Sequence, residues 1–125
     1  MSTETVAEAV KLPQSTAECD LGPEIQLRRG ELTIRYDVEG ESGPVWTTVR
    51  FQGAVALRVV PEVAVTALLA AAYSRVGIVK NSTWLTSLRA LPSDGSLGTD
   101  LEHFVIFFDH YGAVETLARS CEVVD

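Results

Sequence analysis

Residues 101–108, LEHFVIFF, are apolar at both strand parities. His103, Val105 and Phe107 fall on one side of an extended chain, and Phe104, Ile106 and Phe108 on the other. A strand that offers water neither face is central or covered. Asp109-His110-Tyr111-Gly112 then reads as a turn, and residues 113–124 return with mixed polarity. The last quarter is therefore expected to be a closing hairpin. It gathers both histidines, three of the four phenylalanines and Cys121.

Upstream, the hydrophobic period changes twice. Leu32, Ile34, Tyr36 and Val38 alternate with Thr33, Arg35 and Asp37, which predicts a half-buried strand. Residues 24–29 suggest a short strand before it, and residues 40–44 (GESGP) a turn after it. In residues 45–60 the odd positions carry Val45, Thr47, Val49, Phe51, Val55, Leu57 and Val59, interrupted by Gly53. Either one long strand bends at Gly53 or two strands break at Gln52-Gly53. Pro61-Glu62 then opens a helical pattern, with Val65, Leu68, Leu69, Ala72, Tyr73 and Val76 on one stripe and Gly77 as its stop. Residues 78–80 fit a short strand or a linker. Asn81 or Ser82 caps a second helix whose buried side is Trp84, Leu85, Leu88 and Leu91. Residues 92–100 form a polar, glycine-bearing loop, either a binding loop or a connection.

The order ββ-αα-ββ predicts an α+β fold: a curved, mainly antiparallel sheet with helices on one face. Curvature at Gly53 is compatible with a partly closed barrel. The chain of 125 residues is long enough for one domain with its own core. Residues 24–125 are expected to form that single α+β domain, and residues 1–23 a flexible acidic leader. A helix over residues 5–11 would have little to pack against.

The net charge of -7 argues against nucleic acid, because an acidic surface repels phosphate. No basic segment followed by an apolar run opens the chain, and no apolar stretch is long enough to span a bilayer. Cys19 and Cys121 make no disulfide framework and fit reduced thiols in the cytoplasm. Arginine outnumbers lysine eight to two, a usage that suggests a GC-rich, bacterial source.

His103, Asp109, His110 and Glu115 are the densest polar group. Along a strand, His103 and His110 lie about 23 Å apart at roughly 3.3 Å per residue, so they should not share a metal or an acid–base site. Glu115 and Arg119 share a parity but stand about 13 Å apart, so cross-strand partners suit both better. No Gly-x-Ser-x-Gly, Walker loop or GxGxxG occurs. Cys121 reads as a small core residue. No catalytic residue, metal ligand set or cofactor is therefore assigned. Trp46, with Thr48 and Arg50, lies off the main apolar parity and forms the second face of its strand. That face is either a partner surface, since Trp and Arg are frequent anchors, or is covered by a helix or a second copy. The candidate binding residues are thus Trp46, Arg50, Asp109, His110 and Tyr111.

Residues 49–58 (VRFQGAVALR), 81–85 (NSTWL) and 103–115 (HFVIFFDHYGAVE), with Ala118, together resemble small, mostly uncharacterised bacterial domains, some immunity-protein-like or toxin-associated. The likeness spans residues 45–124 and its motifs are structural, so it carries no catalytic residue. It implies a non-enzymatic protein-interaction domain, immunity-like or an accessory subunit, with a protein partner or self-association. The alternative is a small-molecule-binding protein or small enzyme with a pocket between sheet and helices.

Overall fold

The computed structural model describes residues 3–17, 22–91 and 99–124. Antiparallel strands dominate them. Sheet A has the order β1–β6–β7–β8–β5, formed by Thr5–Lys11 (β1), Arg75–Lys80 (β6), Glu102–Phe108 (β7), Gly112–Ala118 (β8) and Ala56–Pro61 (β5). Sheet B has the order β2–β3–β4–β9, formed by Glu24–Arg28 (β2), Glu31–Gly40 (β3), Gly43–Gln52 (β4) and Ser120–Val124 (β9). The two sheets pack face to face and do not close into the barrel that Gly53 had suggested.

Their shared core follows from alternation. Sheet B contributes Leu32, Ile34, Tyr36, Val49 and Phe51, and sheet A contributes Val76, Phe104, Ile106, Phe108, Val114 and Ala118. Tyr36 meets Phe108 edge-on at 5.3 Å, and Phe51 meets Phe104 at 5.4 Å. The opposite parity of sheet A, with Val79, Val105 and Ala113, packs against Leu69 and Ala72 in a second cluster. β7 is therefore the central strand of sheet A and is covered on both faces, as its double-sided apolarity predicts.

Gly53 ends β4 rather than bending it. Its φ of 66° turns the chain out of sheet B, and β5 starts in sheet A. The same corner is crossed in reverse at Arg119, between β8 and β9, where the Arg119 N–H donates to Gln52 O at 2.9 Å. The expected single return strand of the closing hairpin is thus two strands in two sheets.

Two further expectations need correction. Residues 5–11 are neither leader nor helix: β1 pairs with β6 along its length, and Leu12 and Thr16 behind it are buried. The expected helix over residues 61–76 is reduced to a 3-10 turn, Glu62–Ala64, and a four-residue helix, Ala67–Ala70 (α1), capped by Thr66. The apolar stripe is real, but tertiary partners claim it. Ser74 adopts φ 57°, exchanges hydrogen bonds with Thr16 (2.9 and 3.2 Å), and delivers Val76 into β6. The second helix, Thr83–Ala90 (α2), forms behind its Ser82 cap as expected, yet Leu91 stays exposed. These two short helices are not clearly gathered on one face, where they had been expected. Residues 92–98, most of the expected loop, and Cys19 lie outside the described residues.

Candidate functional site

Alternation puts Arg58, His103 and Glu115 on the parity of sheet A that faces away from sheet B. β5 sets Arg58 directly across from Glu115, while β7 sets Val105 there and His103 one diagonal step away. Glu115 is fully buried and His103 is 2% exposed. His103 Nε2 lies 2.7 Å from Glu115 Oε1. Arg58 grips the same carboxylate with Nε at 2.8 Å and Nη2 at 3.0 Å. On its other side, His103 Nδ1 lies 2.7 Å from Ser82 Oγ. The Arg58 guanidinium rests on the Trp84 ring at 4.2 Å, and Trp84 meets His103 edge-on at 5.2 Å.

Hydrogen-bond accounting fixes one proton of this chain of groups. Ser82 Oγ also accepts the Leu85 N–H at 3.0 Å as the cap of α2, so this hydroxyl bridges the start of α2 and His103 Nδ1. The Glu115 carboxylate can only accept, so His103 Nε2–H donates to it. Burial alone would raise the Glu115 pKa. The hydrogen bonds from His103 and Arg58 outweigh it and hold the carboxyl below the ordinary glutamate range. The bond to Glu115 in turn raises the pKa of Arg58.

The network opens onto a slot of about 170 Å³ lined by Glu4, Arg58, Thr66, Leu68, Leu69, Val79, Thr83, His103 and Glu115. Glu4 accepts from the Thr83 N–H at 3.0 Å and its hydroxyl at 3.3 Å, tying the chain before β1 to α2. Ser, His and Glu in a chain are the residue types of acyl transfer, but the serine here is engaged as a helix cap. Ser82 is buried, its oxygen caps a helix, and it lines a separate cleft with Leu85 and Arg89 rather than the slot. The arrangement instead presents a fixed carboxylate and guanidinium at the floor of a partly apolar slot. Ser82→Ala removes a cap and strands His103 Nδ1, so it should cost about 2 kcal/mol by urea denaturation, against about 1 for a cap alone.

The residues proposed from sequence lie elsewhere and apart. Asp109, His110 and Tyr111 form the β7–β8 turn. The Asp109 N–H donates to Thr16 O, the His110 N–H donates to Glu62, and the Tyr111 ring packs edge-on against Phe108. Carboxylate oxygens of Glu62 and Asp109 and a ring nitrogen of His110 come within 4.8 Å of one another at the surface. Trp46 and Arg50 sit on the outer face of sheet B. Arg35 stacks on Trp46 at 4.5 Å, and Arg50 lies between Glu31 (3.5 Å) and Glu122 (3.4 Å). Burial pushes the Cys121 thiol up, which disfavours a reactive thiolate.

The buried network escaped the sequence reading, which gave Glu115 an unspecified cross-strand partner. One signal was available: a turn that pairs Phe108 with Gly112 sets Glu115 against Val105, one step from His103. Nothing local announced Arg58 or Ser82, which arrive through β5 and α2. Comparison with family models, with curated proteins and with solved structures gave no match.

Proposed function

We propose that the protein binds a small molecule in the slot above Arg58, Glu115 and His103, without catalysing a reaction on it. One observation carries this reading: a buried carboxylate, held ionised by an arginine and a histidine, is spent on the floor of an open slot rather than on packing. Ion pairs of this kind seldom stabilise a fold more than apolar residues of the same volume, so their placement in a cleft supports a site. The slot volume, about 170 Å³, compares with an engineered cavity of about 150 Å³ that admits benzene. Leu68, Leu69 and Val79 suit a short apolar body. Arg58 is already neutralised by Glu115, leaving Glu4 as the net charge, so the occupant is uncharged or singly cationic.

Ligand-observed NMR with a fragment library tests this, with wild type compared to Leu68→Trp, which fills the slot from α1. Fragments of benzene size should bind wild type in the millimolar range or better and lose binding at least tenfold in the variant. Equal binding to both proteins, or no binding to wild type, rejects the reading. A second reading, protein interaction, is favoured by one separate observation: Trp46 is 40% exposed on the outer face of sheet B with Arg35 stacked on it.

A further inference from the structure

Asp37 stands directly across from Trp46 on the neighbouring strand, on the outward parity of β3 that also carries Arg35. It is only 8% exposed, and its Oδ1 is buried with no hydrogen-bond partner. Removing a carboxylate from water without donors is costly, and folded proteins leave few such groups without a compensating role. Nearby cations do not supply the donor. Arg35 pairs with Glu24 at 3.4 Å and stacks on Trp46, and Arg50 pairs with Glu31 and Glu122. Toward the β3–β4 turn, Asp37, Glu39 and Glu41 take part in none of these ion pairs, so this end of the strand pair carries three carboxylates, with Asp37 across from the exposed indole. Trp46 and Arg35 are exposed and Thr48 is half-buried, so no layer of described residues closes over them.

We infer that this end of sheet B docks a basic segment of a partner protein, with a lysine or arginine of that segment set against Asp37 and flanked by Trp46. Asp37 Oδ1 lacks a donor, and the neighbouring acids favour a cationic one. The same acids disfavour nucleic acid, and they disfavour a second copy of this chain, which would bring its own acidic face against this one. The surface is distinct from the slot on sheet A, so either can fail without the other.

The full chain, labelled with nitrogen-15, is titrated with hexalysine and with the same peptide acetylated on every side-chain amine. Hexalysine should shift the amides of Asp37, Glu39, Glu41 and the Trp46 indole before others, and the acetylated peptide should leave them unmoved. Asp37→Asn should weaken hexalysine binding about tenfold, as expected for one charge-assisted hydrogen bond, whereas Glu8→Gln, at the edge of sheet A, should not. Unfolding midpoints of both variants separate lost binding from lost folding. Shifts spread evenly over all acidic residues, undiminished binding to a folded Asp37→Asn, or a concentration-dependent dimer abolished by Trp46→Ala each overturns the inference.

Discussion

Glu115→Ala should lower the unfolding free energy by about 3 kcal/mol, the lower end of the range for breaking a buried ion pair. The lower end applies because the Arg58 side chain is 45% exposed and can turn its guanidinium to water once its partner is gone. His103 cannot: at 2% exposure its Nε2–H would be left without an acceptor. Replacing the group together, Arg58→Met, Glu115→Leu and His103→Phe, should recover most of the loss, because the cost lies in orphaned partners rather than in a missing attraction. A double-mutant cycle of His103 and Glu115 by urea denaturation measures that coupling. If the single and triple variants are equally destabilised, the network is no more than packing.

The pH dependence follows with a definite sign. The Glu115 carboxyl is held below its ordinary value in the folded protein, so the unfolded chain binds its proton first as pH falls. The stabilisation is therefore complete above the ordinary glutamate value of about 4.3 and is lost as pH drops through the folded value. Glu115→Gln should flatten this acid limb of the stability curve while lowering stability at neutral pH.

Gly112→Ala should be at least as damaging, at roughly 4 kcal/mol or more, the range reserved for strain and overpacking in one site. Gly112 adopts φ 139°, and a Cβ there would sit 2.1 Å from Val60 O and 3.0 Å from Glu62 N. Both atoms are backbone and cannot rotate away. The clash would drive β5 from β8, which separates Arg58 from Glu115, since those residues pair only three positions away. Loss of amide-exchange protection in β5 and β8 before the rest of sheet A checks this. Uniform loss would place the damage in the whole core instead.

The two predictions differ in how far they could be read from the chain. The turn at Asp109–Gly112 was legible, because turn residues stand between two apolar runs. That Gly112 must also admit the end of β5 was not, because β5 is more than fifty residues upstream. The alternation of β3 and β4 was legible, and with it the outward placement of Trp46 and Arg50. Asp37 was assigned to the polar side of its own strand, but its burial depends on its neighbours in space. Residues 61–76 show the limit most clearly. Their stripe satisfies a helix period, yet helix propensity is a weak prior, and contacts with Thr16 and β7 divide the segment into short turns and a strand.

By itself the sequence determined that residues 101–108 would be a strand central or covered, because apolar side chains at both parities leave neither face to water. It also determined that the strands would be mainly antiparallel and that Ser82 could cap a helix. Only the tertiary structure decided that β1 completes sheet A, that the chain changes sheets at Gly53 and Arg119, and that Ser82, His103, Glu115 and Arg58 meet. The reason is physical: parity and period are local, whereas register between distant strands is set by how the whole core packs. A site assembled from β5, β7, β8 and the start of α2 has no local signature to read.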